Sequence, residues 1–218
     1  MSQSQKSKIS RNAGSRTISK CRAGKSQKSQ GWIFVISGPS GSGKTTLVKA
    51  VLSDRQFRKK LARSVSFTTR PKRSGEKHGW DYYFINEKEF KKKRKAKKIL
   101  EWTRYLGYYY GTAKDFLDKE LYKYPGIVLC LDLKGAAKIK RLYPKNTVTI
   151  FIMPSSLEEL SARIQKRCSK TKKEEIQRRL KRARDEILVS RSYDYRLINK
   201  DLHQAIRELK RVINKHLN

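Results

Sequence analysis

The stretch WIFVISGPSGSGKTTL, Trp32 to Leu47, sets a short apolar run directly before three glycines in six residues, then a lysine and two threonines. A run this short, β-branched and apolar on both faces reads as a strand buried inside a sheet. Gly38 to Thr45 fits the pattern G-x-x-x-x-G-K-[ST], placed between that strand and a helical pattern from Lys44, the setting in which such a loop cradles phosphates. Glycines let successive backbone N–H groups converge without a Cβ in the way, at the positive end of the following helix. The expected ATP-phosphate residues are therefore Gly38, Pro39, Ser40, Gly41, Ser42, Gly43, Lys44, Thr45 and Thr46. Lys44 is expected to reach the β- and γ-phosphates. The hydroxyl of Thr45 is expected on Mg²⁺, which takes oxygen ligands and keeps several waters.

Working outward, strand-like runs recur at Gly126 to Leu131 and Thr147 to Met153. Helical patterns fall at Lys44 to Leu52, Ala113 to Tyr124, Leu133 to Leu142 and Ser156 to Arg167, the last opened by a capping box of Ser156 and Glu159. A helix over Glu174 to Val189, a short strand at Tyr195 to Ile198 and a closing helix from Leu202 complete the order. This alternation predicts an α/β fold with a parallel sheet covered by helices on both faces. Between Ser64 and Thr112 the sequence turns aromatic, turn-rich and alternating, which predicts a small antiparallel lobe inserted in the core. The lobe is expected to carry a helix over FKKKRKAKKIL, Phe90 to Leu100, with an almost wholly positive polar face.

A chain of 218 residues supports one sizeable core with small inserted lobes. Its 54 Lys and Arg against 19 Asp and Glu give a net charge of +35, which favours polyanions without choosing among nucleotides, nucleic acid or an acidic membrane surface. No apolar run reaches the length of a bilayer span. Cys21, Cys130 and Cys168 are odd in number and lack metal-ligand spacing, and no secretory signal precedes them, so a reducing, cytoplasmic setting is expected. Residues 1–30 hold eight basic residues, eight serines and no acid, which predicts a disordered arm; an organellar transit peptide is the alternative. Without the arm, 46 basic against 19 acidic residues leave a surplus of 27 for residues 31–218.

The second informative stretch is SFTTRPKRSGEKHGWDYYF, Ser66 to Phe84. Arg70 and Arg73 bracket a proline-stiffened turn, and a pair of guanidinium forks suits bidentate binding of a phosphate, with Glu76 to orient them. Read alone, the same residues make a solvated basic loop.

Taken together, GPSGSGKTTL, the pattern S-x-x-T-R-x-x-R-x-x-E-x-x-G-x-x-Y-x-F, the later E-W…G-x-Y-Y-G-T and the strand end L-D-L-x-G resemble the guanylate kinases from Trp32 onward. The resemblance implies a P-loop kinase three-layer sandwich: a core of residues 31–63 and 113–218, a GMP-binding lobe of residues 64–112 and a helical lid near residues 163–179. It implies Arg70, Arg73, Tyr82 and Tyr110 around the phosphate of GMP. Ser66, Glu101, Thr112 and Asp132 would surround its guanine. Guanine offers N–H donors at N1 and N2 beside an O6 acceptor, so a carboxylate and hydroxyls match its edge. Taken singly, Tyr82 and Tyr110 read equally as packing residues, Ser66 and Thr112 as turn caps, and Glu101 as an offset to the positive helix.

The resemblance further implies Arg163, Arg167 and Arg179 as lid arginines that close over the transferring group, and Asn199 near the adenine. The implied reaction is transfer of the γ-phosphoryl of ATP to GMP, with catalysis by Lys44, Mg²⁺ and the arginines and without a general base. Cys130, Lys134 and Cys168 depart from the family pattern. Three other readings compete: a non-catalytic phosphopeptide-binding module, which generally loses the loop lysine and threonine, a kinase for another phosphorylated acceptor, and a nucleic-acid binder with nonspecific, salt-sensitive attraction as a side property.

Overall fold

The structure is a computed structural model that describes residues 31–167 and 173–218. The expected N-terminal arm and Cys168 lie outside the described residues, as does the side chain of Arg167.

Five strands form one parallel sheet: β1 (Trp32–Ser37), β2 (Leu61–Arg63), β7 (Gly126–Cys130), β8 (Thr147–Pro154) and β9 (Tyr195–Asn199), in the order β2-β7-β1-β8-β9. The opening strand is therefore the centre of the sheet. Alternation along it divides the core: Phe34 and Ile36 enter one cluster with Leu47, Val51 and Leu209, while Ile33 and Val35 enter the other with Leu117 and Ile139. The first cluster is covered by α1 (Lys44–Ser53), α2 (Arg55–Arg58) and α8 (Leu202–Leu217), the second by α4 (Lys114–Leu121) and α5 (Leu133–Leu142). Burying side chains such as Phe34 and Leu47 completely stabilises by roughly 1.5–3 kcal/mol each. Because β7 and β8 flank β1 on opposite sides, the loop after β1 opens at the point where the strand order diverges, where ligands bind in open α/β sheets.

A second sheet holds β3 (Phe67–Thr68), β4 (Tyr83–Phe84), β5 (Ile99–Tyr105) and β6 (Tyr108–Ala113), in the order β4-β3-β6-β5. It is mixed rather than antiparallel, since β3 and β4 run parallel. Its helix α3 spans Glu87–Lys95 and not Phe90 to Leu100: Asn86 caps it by accepting from the Glu89 amide, and Ile99 and Leu100 open β5 instead. Strand β2 has only three residues, too few to betray a period, and escapes a pattern reading. The α4 helix stops at Leu121, three residues before the expected Tyr124.

Two further helices, α6 (Leu157–Arg167) and α7 (Lys173–Val189), pack through Leu160, Ile164 and Ala183. Ser156 Oγ accepts from the Glu159 amide at 3.1 Å, which is one half of the expected capping box. The reciprocal half is missing because the Glu159 carboxylate pairs with Arg163.

Candidate active site

The loop from Gly38 to Gly43 is held from both ends of the chain. Gly43 has φ 93°, and a Cβ there would lie 2.2 Å from Asn199 Nδ2, so both conformation and space demand glycine. Asn199, at the end of β9, donates Nδ2 to Ser42 O at 2.8 Å and is buried. Its amide braces the loop. Lys44 Nζ lies across the loop, donating to Gly38 O at 2.6 Å and Pro39 O at 2.8 Å.

A cleft of about 730 Å³ runs from this loop to the second sheet. Gly38, Ser40, Gly41, Gly43, Lys44, Thr45, Thr46 and Asn199 line one end; Ser66, Arg70, Arg73, Glu76, Tyr82, Glu101, Tyr110 and Asp132 line the other, and Arg163 reaches it from α6. Pro39, Ser42, Thr112 and Arg179 are not part of this lining. The fold therefore brings the two expected anion-binding stretches to a single cavity.

At the far end, Glu76 uses both carboxylate oxygens: Oε1 accepts from Arg70 Nη2 at 2.8 Å and Oε2 from the Arg73 amide at 2.9 Å. Burial opposes the charges of Arg70 and Glu76, but their mutual hydrogen bond and field outweigh it, raising the pKa of Arg70 and lowering that of Glu76. The Arg70 guanidinium is further set 5.5 Å from the ring centre of Tyr82. Burial pushes the Tyr82 phenol up to about 12, so it stays a neutral donor.

On β5, alternation turns Glu101, Thr103 and Tyr105 toward the cleft. Glu101 Oε1 accepts from the amide of Thr112 at 3.1 Å and from its hydroxyl at 2.6 Å. Burial raises the Glu101 pKa, with Thr112 opposing and the Asp132 charge adding. Asp132 caps α5 by accepting from the Gly135 amide at 2.8 Å through Oδ1, while its Oδ2 is buried without a partner. A Cβ on Gly135 would stand 2.9 Å from Glu101 Oε2, so this glycine lets the two carboxylates approach.

Other residues of the cleft escape a sequence reading. Tyr105 lines the cleft beside Ser40, and burial raises its pKa against the nearby Arg179 charge. Arg182 of α7 stacks over the same ring, and Glu186, one turn on, faces Lys44 with its pKa raised by burial. Asp81 pairs with Lys49 of α1 at 2.8 Å, and Arg63 of β2 donates to the Trp80 carbonyl at 2.9 Å, tying the second sheet to the core. The i, i+3, i+7 spacing of Arg179, Arg182 and Glu186 was a helical-face signal, and Tyr105 continues the alternation from Glu101. Cys130 also lines the cleft, its thiol held neutral by burial.

A parallel sheet with its central strand feeding a glycine loop and helix, facing a paired-arginine loop across one cleft, defines an α/β P-loop kinase fold. A protein-family model described as guanylate kinase matches residues 30–216. A guanylate kinase of Caldanaerobacter subterraneus is 42% identical over 85% of this chain and 88% of its own. One of Wolbachia pipientis is 40% identical over 86% and 92%. The crystal structure of guanylate kinase from Anaplasma phagocytophilum superposes with a TM-score of 0.71 at 31% identity, covering 86% of this chain and 87% of that one. This chain belongs to the guanylate kinase family.

Proposed function

We propose that this protein transfers the γ-phosphoryl group of ATP to the phosphate of GMP, giving ADP and GDP. The observation that carries the reading is the single cleft joining the Gly38–Lys44 cradle to the Arg70–Glu76–Arg73 cradle. Backbone amides and Lys44 hold the ATP phosphates, with its adenine toward Asn199. Arg70, Arg73, Tyr82 and Tyr110 hold the acceptor phosphate, which is already ionised at neutral pH and needs no base. Arg163, Arg167 and Arg179 serve the transferring group, where positioning and charge neutralisation supply the catalysis.

Glu101, Thr112, Ser66 and Asp132 read the base. The donors N1–H and N2–H of guanine meet Glu101 and the unpartnered Asp132 Oδ2; adenine would leave these buried acceptors unpaired, which a hydrogen-bonding site penalises strongly. Among the described residues no group of three His, Cys, Asp or Glu could cage a metal by itself. The Thr45 hydroxyl in the cleft fits an ion that binds through one protein oxygen, phosphates and water. Mg²⁺ held there would supply charge neutralisation at the β- and γ-phosphates. No helix among the described residues is long and apolar enough to cross a membrane, and the odd, scattered set of three cysteines supports a cytoplasmic site of action.

The test is ADP formation with GMP, dGMP, AMP and no acceptor. Turnover at least about 10⁴-fold better with GMP than AMP is expected from a hydrogen-bonding pocket; equal turnover on AMP removes the base assignment.

A further inference from the structure

The second sheet has two faces, and only one serves the cleft. Thr103 and Tyr110 pair across β5 and β6 on the cleft side, so the next pair, Arg104 and Tyr109, points outward with Trp102. There the side chains stack. Arg94 of α3 sits 4.6 Å from the Trp102 ring centre, Arg104 sits 5.6 Å from that of Tyr109, and the two rings lie 5.8 Å apart. Trp102 is 41% exposed, and both arginines are exposed.

The rim of this face is cationic beyond what helix formation requires. Lys91 and Lys93 pair with Glu87 and Glu89. Among the described residues no carboxylate lies within ion-pair distance of Lys92, Arg94, Lys95, Lys97 or Lys98. Like charges one turn apart repel and destabilise a helix. Lys97 also takes the left-handed position after α3, at φ 55°, which glycine fills at less cost. A helix selected only for solubility gains nothing from either feature. A polyanion laid along the flank relieves both the repulsion and the unbalanced field.

We infer that this outer flank, Arg94, Trp102, Arg104 and Tyr109 with Lys95, binds single-stranded nucleic acid, its bases on the guanidinium–ring stacks and its phosphates on the cationic rim. Flat π-surfaces interleaved with cations are the chemistry of sequence-tolerant single-strand binding. A duplex conceals its base faces from such stacks, and insertion into a bilayer would have to strip water from two guanidinium groups lying on the rings. The flank lies on the opposite side of the sheet from Glu101, so the strand and GMP bind together. This extends the protein beyond nucleotide kinase activity and does not depend on that reading.

The test is fluorescence anisotropy with a fluorescein-labelled 20-nucleotide oligouridine, which carries no guanine for the cleft. Binding is expected to persist with saturating GMP and ADP. It should weaken with salt at a log–log slope of about −2 to −4, the value for three to five phosphates on a single strand. Trp102→Ala should weaken it at least about fivefold, and Arg94→Ala with Arg104→Ala should make the slope shallower by about 1.4. GMP turnover and melting temperature of each variant verify folding, and the arginine pair stands as the test if Trp102→Ala unfolds. As a control, Arg141→Ala with Lys145→Ala removes two exposed charges at the far end of the core. The proposal fails if that control weakens binding equally, if the flank variants bind as the parent does, if nucleotides displace the oligomer, or if a duplex of the same length or phosphatidylserine vesicles bind and the single strand does not.

Discussion

The guanidinium of Arg182 lies 4.6 Å from the centre of the Tyr105 ring, so helix α7 and the second sheet meet across the mouth of the cleft. The same phenol lines the cleft beside Ser40 of the phosphate loop. One side chain therefore touches all three parts that must converge when substrates are enclosed. Tyr105→Phe keeps the stack and removes the hydroxyl set to bond Ser40 when the cleft closes, an interaction worth about 0.5–1.5 kcal/mol. It is expected to lower kcat/KM for GMP by roughly 2- to 12-fold. Tyr105→Ala loses both contacts and should cost several-fold more, while Arg182→Ala should resemble the loss of the stack alone. Steady-state kinetics beside thermal melting separate this from a general loss of fold.

The ammonium of Lys44 already spans two carbonyls of the glycine loop. Lys44→Met should lower kcat by about 10²–10³, the range for removing one preorganised charge stabiliser, with KM for GMP little changed. A coupled assay of ADP release measures it.

Glu76 serves two arginines at once, so Glu76→Gln leaves the buried guanidinium of Arg70 without its counter-charge. Breaking a buried pair from one side costs about 3–5 kcal/mol. Partial solvent access at this rim places the expected loss toward the lower end. KM for GMP should rise by at least tenfold, and chemical denaturation should report the lost stability.

The two carboxylates respond to acid in opposite ways. Glu76 is lowered from 4.5, so its contribution to stability is present above pH 4.5 and is lost only as pH falls through its lower folded value. Glu101 is raised from 4.5, so it takes up a proton before Glu76 does. Acidification from neutral pH is therefore expected to raise KM for GMP while the Arg70 pair still holds the fold. Glu101→Gln should flatten that dependence. Because the raised pKa marks a charged form that folding disfavours, the same variant should melt about 2–4 °C higher per kcal/mol relieved at neutral pH, even as its GMP binding weakens. A pH series of initial rates and melting curves checks both.

What the sequence could disclose was what is local. The strand before Gly38, the loop and the helix after it depend on neighbours within a few residues, and all three are where pattern predicts them. The placement of α3 failed because KKKRKAKK carries no apolar period; only Phe90 is buried there, and the cap at Asn86 outranks it. Glu101 and Thr112 were accessible only through resemblance, since nothing in E-W-T-R-Y says which carboxylate will be buried. The junction of Tyr105, Ser40 and Arg182 joins three distant segments, and no spacing rule connects them. The helical face of Arg179, Arg182 and Glu186 was visible, but not what it would touch.

The brace from Asn199 to Ser42 spans 157 residues of chain. A ribosome making this protein releases the nucleotide loop 157 residues before the side chain that steadies it. The loop is therefore expected to gain its brace only once β9 has docked, and a proteolytic cut that sheds β9 is expected to loosen the loop.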